Sequence, residues 1–136
     1  MDDLKRAQMI ATSGMKVQSH RLRVVSENLA NADSLPQMPG EDPYRRKVIS
    51  FKSELDRASG TQLVQVDKVR GDMSDFTKKF DPRHPAADAE GYVLTPNVNP
   101  LIELMDMREA QRTYEANLNV VMTSKALLSR TVEMLR

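Results

Sequence analysis

Few side chains in this sequence are placed to do chemistry. The densest set lies in DPRHPAAD, residues 81–88, where Asp81, His84 and Asp88 stand three and four apart. On a helix that spacing would gather three metal or proton-transfer ligands on one face. Pro82 and Pro85 oppose a helix there, and a proline-fixed turn is the expected structure. His20, the other histidine, sits beside Arg21 and Arg23 with no carboxylate within a turn, which is the setting of a solvated ring and not of an acid–base catalyst. There is no phosphate-cradling glycine loop, no nucleophile elbow and no histidine pair at zinc spacing. With no cysteine there is also no disulfide, thiolate nucleophile or Cys-based zinc site. The expectation is a protein that is not an enzyme and takes no cofactor, metal or small-molecule substrate.

Two basic clusters, Arg45-Arg46-Lys47 beside Tyr44 and Lys78-Lys79 beside Phe80, resemble the charged and aromatic lining of a single-strand nucleic-acid groove. The surrounding residues 33–98 hold ten basic and eleven acidic side chains, so no field of one sign builds up there. The clusters are expected to be solvated strand ends, with no nucleic-acid partner. The whole chain is balanced as well, with Lys plus Arg 20, Asp plus Glu 19 and net charge +1.

The asparagines are a different matter. SENLANADS at 26–34 and YEANLN at 114–119 each set an asparagine directly before a leucine, Asn28 before Leu29 and Asn117 before Leu118. An amide flanking a helix–helix seam can hydrogen-bond across the contact and fix its register. A solvated amide on the polar flank fits the same spacing, and the sequence does not separate the two roles. Asn31, with Asp33 and Pro36 after it, is expected to end the helix in a left-handed turn.

Long helices must carry these residues. All seven prolines lie between Pro36 and Pro100, and Gly14 is the one helix breaker in either terminal stretch. Read in sevens, the first stretch gives Met1, Gln8, Met15, Leu22 and Leu29, with Leu4, Ala11, Gln18, Val25 and Ala32 three residues on. The last gives Leu104, Gln111, Leu118, Lys125 and Val132, with Met107, Tyr114, Val121, Leu128 and Leu135. Eight of ten are apolar in each case, the pattern of a seam between helices. The methionines in it are expected to be packing residues. Asn99-Pro100 is a suitable start for the second helix, because Asn caps well and Pro is tolerated at the first helical position.

The expected fold is mainly α: terminal helices in residues 1–32 and 99–136 forming a coiled-coil-like pair, with a small, irregular, β-containing middle in residues 33–98. Within the middle, PYRRKVISF and TQLVQVDKVRGD have strand character, GYVLT at 91–95 is a weaker third strand, and residues 34–43, with three prolines, form an extended and mobile loop. A stripe two residues wide in seven suits a helix packed on helices rather than on a globular core. Leaving eight apolar residues per helix uncovered would forfeit on the order of 10 kcal/mol. Hence the single chain is expected to be incomplete until neighbours cover its seams. No stretch of about 18 apolar residues is present to span a bilayer, and the N-terminus lacks the apolar run of a cleaved signal peptide.

SENLANADS and EAQRTYEANLNVV, residues 109–121, together resemble the paired terminal signatures of the flagellar axial proteins, the rod, hook and hook-associated subunits. PYRRKVISF at 43–51 and DPRHPAADAEGYVLTPNVNPLIELMDM at 81–107 are similar to the short proximal-rod members of that family. The resemblance implies a subunit of a hollow helical assembly whose terminal helices pack around a channel while the middle lies outside. It also implies export by the flagellar type III apparatus, a periplasmic position, and contact with other rod proteins, further copies, and the membrane-ring and export-gate side of the basal body. One departure stands out: the first signature is followed by Ser34-Leu35-Pro36, not by the T-x-G-[FY] turn common in axial subunits. The expected assembly interface comprises Leu22, Val25, Asn28, Leu29, Asn31, Leu104, Met107, Tyr114, Asn117, Leu118, Val121 and Leu128. The alternative is a soluble coiled-coil adaptor that binds a single helical partner.

Overall fold

The computed structural model describes residues 2–136; Met1, one of the seam positions above, lies outside the described residues. The element order is α1 (Asp2–Ala30), β1 (Lys47–Asp56), β2 (Thr61–Gly71), β3 (Thr77–Phe80), β4 (Tyr92–Thr95) and α2 (Pro100–Met134). Helix takes about 47% and strand about 21% of the residues, so the mainly-α expectation holds only coarsely: two terminal helices flank two small two-stranded sheets. Asp2 and Asp3 lie in the first turn of α1, where the helix dipole favours carboxylates. α2 starts as its sequence requires. The Leu101 N–H donates to Asn99 Oδ1 at 3.1 Å, and the Glu103 N–H donates to the Asn99 carbonyl at 3.1 Å.

The end of α1 corrects one expectation. No residue other than glycine has positive φ among the described residues, so Asn31 does not end the helix in a left-handed turn. Instead its side chain acts as a cap: Nδ2 donates to the Glu27 carbonyl at 2.8 Å, and Oδ1 accepts from Ser34 Oγ at 3.0 Å. The Glu27 carbonyl, which already accepts the Asn31 N–H at 3.1 Å, thereby gains a second donor.

Contacts divide the chain into two compact units. The first holds α1 up to Leu22, residues 49–68 and residues 108–136. In it the two helical segments run antiparallel: Gly14 lies against Asn117, and seven residues further along α1 Arg21 pairs with Glu109 at 3.4 Å. The β1–β2 hairpin turns at Gly60, whose φ of 70° suits glycine and whose N–H donates to the Asp56 carbonyl at 2.7 Å. β2 reaches α1 directly, the Val64 N–H donating to Ser13 Oγ at 3.3 Å. Ser13 and Val17 are therefore buried beside Ala11 and Gln18, and the covered band of α1 is wider than the two-in-seven stripe expected.

The second unit holds residues 23–48 and 69–107. β3 pairs with β4 antiparallel, from Thr77 opposite Thr95 to Phe80 opposite Tyr92, with the last two rings edge-to-face at 5.3 Å. Between them residues 81–91 form successive turns, as the prolines require. His84 Nδ1 accepts the Ala86 N–H, and Asp88 Oδ1 accepts the N–H groups of Glu90 and Tyr92, so these side chains shape the loop. Residues 31–46 are anchored by buried Pro36 and Pro43. Between those anchors Met38-Pro39-Gly40-Glu41 closes a β-turn, with the Glu41 N–H donating to the Met38 carbonyl at 3.3 Å and Gly40 at φ 86°. Pro second and Gly third is the type II arrangement.

Candidate assembly surface

Asn28 is 1% exposed, and its amide is fully engaged. Nδ2 donates to the Lys47 carbonyl at 2.8 Å and to Glu103 Oε2 at 3.3 Å. Oδ1 accepts the Lys47 N–H at 2.9 Å and the Tyr44 O–H at 2.8 Å. The amide pairs with both backbone groups of one residue, as a neighbouring strand would, and so ties the start of β1 to the end of α1. The Tyr44 phenol is held protonated to higher pH than usual, first by burial and then by the negative fields of Glu27 and Glu103, which keeps it a donor.

Glu103 carries this joint into α2. It is 0% exposed, and its Oε1 accepts from Arg46 Nε. Arg46 also reaches Asp72 at 3.4 Å and Asp106 at 3.5 Å. Burial works against its charge, but the Glu103 carboxylate and then Asp72 outweigh that, and the guanidinium is held more firmly protonated than usual. Its backbone is fixed too: the Arg46 N–H donates to Asn97 Oδ1 at 2.7 Å, and its carbonyl accepts the Asp72 N–H at 2.7 Å. A buried carboxylate with two charge-assisted partners is sound only while both remain, since removing one partner from a buried pair costs about 3–5 kcal/mol. This cluster corrects the view of Arg45-Arg46-Lys47 as solvated: Arg46 is in ion pairs, Arg45 donates to the Asp72 carbonyl at 2.7 Å and stacks over Phe76 at 4.2 Å, and Lys47 pairs with Glu27 at 2.5 Å. The joint ties the end of α1, the start of β1 and the start of α2 together.

The seam in α2 is set in a different frame from the apolar one. Glu103, Ala110 and Ser124 are buried and Asn117 is half-buried, each seven residues from the next, whereas Leu104 and Leu118 are 47% and 37% exposed. Asn117 thus lies in the packed face, with its amide against Gly14, and does not flank it. Among the other expected interface residues Val25 is buried, and Leu22, Leu29, Asn31, Met107, Tyr114, Val121 and Leu128 are half-buried. Glu103, Arg46, Tyr44, Asn97 and Gly14 were missed. Their signal was present in part: Gly14 is the one glycine of either helix, and positions 103, 110, 117 and 124 repeat in sevens with small or polar types.

What stays uncovered is unequal between the helices. Among the described residues, ten large apolar side chains of α2 are exposed, Leu101, Ile102, Met105, Val120 and Met122 among them, against Ile10 alone on α1. Residues 116–128 contain a single charge, Lys125, so this part of α2 lacks the polar outer face of a surface helix. No helix among the described residues is long and apolar enough to cross a membrane.

Known proteins are similar to this sequence over nine-tenths or more of its length. Residues 89–134, which hold β4 and all of α2, match the family described as flagellar basal body rod FlgEFG protein C-terminal. The flagellar basal-body rod protein FlgC of Agrobacterium fabrum is 53% identical over 136 residues, covering 100% of this chain and 98% of the relative. The proteins of the same name from Bacillus subtilis and Salmonella typhimurium are 39% and 37% identical, covering 91% and 90% of this chain and 93% and 91% of their own lengths. Identity at that level over nine-tenths or more of each chain settles kinship, and the chain belongs to the FlgC family of flagellar basal-body rod proteins.

Proposed function

We propose that the chain is a structural subunit of the flagellar basal-body rod, a drive-shaft component that transmits torque and carries out no catalysis. The observation that carries this is the exposed apolar surface of α2, which a finished soluble protein would cover and an assembling subunit uses. In this role residues 1–32 and 99–136 are the assembly helices, a coiled-coil-like pair that packs with other rod proteins and further copies around a channel. Residues 33–98 lie outside them. Membership of the family supports a periplasmic position reached through the flagellar export apparatus without a cleaved signal, next to the membrane ring and export gate. The interface is built from Leu22, Val25, Leu29, Asn31, Leu104, Met107, Tyr114, Asn117, Leu118, Val121 and Leu128, while Asn28, 1% exposed and bonded within the chain, serves it indirectly through the Asn28–Glu103 joint that holds the middle in place.

Deleting the gene and purifying basal bodies tests the role. Loss of swimming and of the rod, both restored by the intact gene, is expected, together with the chain itself in purified basal bodies. Normal rods without it would refute the role, and recovery of the chain only in a small complex of fixed stoichiometry would favour an adaptor.

A further inference from the structure

A groove of about 850 Å³ lies in the first unit between α1 and β2. Met9, Val17, Leu63 and Val66 give it an apolar floor, and exposed Lys5, Lys16 and His20 stand along its α1 side. From Lys5 to His20 it follows roughly 22 Å of helix. Nothing in the covered band of α1 accounts for an open apolar trough with a basic rim.

The second unit carries its chemical complement. The type II turn at Met38–Glu41 presents Met38 with 61% of its surface exposed, on a backbone fixed by Pro39 and Gly40 and held at either side by buried Pro36 and Pro43. Residues 30–43 contain Asp33, Glu41 and Asp42 and no basic residue. The turn is thus a preformed apolar knob with an acidic surround, and the limits that Pro39 and the Met38–Glu41 turn place on its backbone lower the ordering cost that a free loop would meet on binding. Methionine suits such a contact, because its unbranched, polarizable side chain fills irregular apolar space. The acidic segment at 88–90 is a poorer candidate, since Asp88 accepts two N–H groups at 2.9 Å, whereas Glu41 takes only the Gln37 N–H, at 3.4 Å, and Asp42 is exposed.

We propose that the Met38 turn of one copy docks in the α1–β2 groove of the next copy, its methionine on the apolar floor and Glu41 and Asp42 against Lys5 and Lys16. The proposal rests on the rod reading and assigns one of its contacts. Knob and groove are different patches of the same chain, so the contact is head-to-tail. Contacts of that kind propagate as a helix or a ring instead of closing as a two-fold dimer.

The absence of native cysteine makes the test clean. Met38→Cys and Gln65→Cys, both at exposed positions, are placed on separate gene copies in one cell and also together on one chain. Mild oxidation of purified basal bodies is expected to give a covalent dimer from the mixed single variants and a ladder of oligomers from the double variant. A Ser129→Cys control on α2, away from the groove, is expected to give neither. Swimming cells with no link, a link formed only within one chain, or equal linking to the control would overturn the proposal while leaving the rod role intact. Should the cysteines themselves block assembly, charge exchange decides. Glu41→Lys with Asp42→Lys is expected to cut swimming several-fold, and adding Lys5→Glu with Lys16→Glu to restore most of it; no restoration overturns the contact.

Discussion

Gly14 and Asn117 compete for the same space: a β-carbon built on Gly14 would stand 2.6 Å from Asn117 Nδ2 and 3.1 Å from its Cγ. The missing side chain lets an amide occupy the face of α1 there, and it explains why a helix of 29 residues retains a glycine in its middle.

The sign of Gly14→Ala should therefore depend on residue 117. Alanine is favoured over glycine in a helix by about 1 kcal/mol, while overpacking costs about 1–3 kcal/mol. In the native background we expect a net loss near 1 kcal/mol. With Asn117→Ala already present the overlap is gone, and we expect a gain of similar size. Urea unfolding of the four variants checks this, and additive effects would contradict it.

Asn28→Ala and Tyr44→Phe test the joint unequally. The first removes four hydrogen bonds from a site 1% exposed and leaves Glu103 and the Lys47 backbone short of partners, for an expected loss of about 3 kcal/mol or more. The second removes one bond, worth about 0.5–1.5 kcal/mol. Equal losses in chemical unfolding would mean that the amide is not the centre of the network.

Leu118→Asp separates folding from assembly. At 37% exposure the leucine is partly covered by the single chain, so a loss of about 1–2 kcal/mol in unfolding is expected, short of unfolding the chain. In a buried contact between subunits the carboxylate is costly, and swimming should be lost while secretion continues. Swim-plate assays beside immunoblots of exported protein measure both, and normal swimming would remove Leu118 from the interface.

Acid should loosen the second unit. Asp72 is held below its ordinary value of 3.8, first by the backbone and side-chain donors of Ser74 and then by Arg46; Asp88 is held low first by the Tyr92 N–H. A carboxyl that is more acidic folded than unfolded stabilises above its unfolded value and loses that contribution as pH falls through the lower, folded one. Stability should be flat above about pH 4 and fall below it. Asp72→Asn should shallow that fall, and an unchanged slope would show that its hydrogen bonds do not matter to folding.

Both helices, the Asn99 cap and the proline turn at 81–88 were legible because each rests on local rules. The α2 seam frame was not. Counting apolar residues selects Leu104 and Leu118, yet close packing inside one chain favours Ala110, Asn117 and Ser124, and the leucines are left outward. Asn28 could be marked as unusual, but its chief partner is the backbone of Lys47, and backbone groups leave no trace in residue identity. Glu103 looked like any surface charge until Arg46, 57 positions away in sequence, was found against it. β3 was anticipated only as a strand end at Lys78-Lys79, because all four residues of Thr77-Lys78-Lys79-Phe80 are exposed and no alternation marks the strand itself. Asn31 ends its helix with a side-chain hydrogen bond that a rule based on left-handed glycine could not foresee.

The bare side of α2 also bears on the life of the subunit before it is built in. Ten exposed apolar side chains that favour self-contact in an ordered shaft favour it equally in disorder. The free chain is thus expected to have a solubility ceiling, above which it precipitates instead of queueing. A cell that makes this protein then has two remedies: match synthesis to export so that few copies wait, or shield the helix with a temporary companion until it leaves.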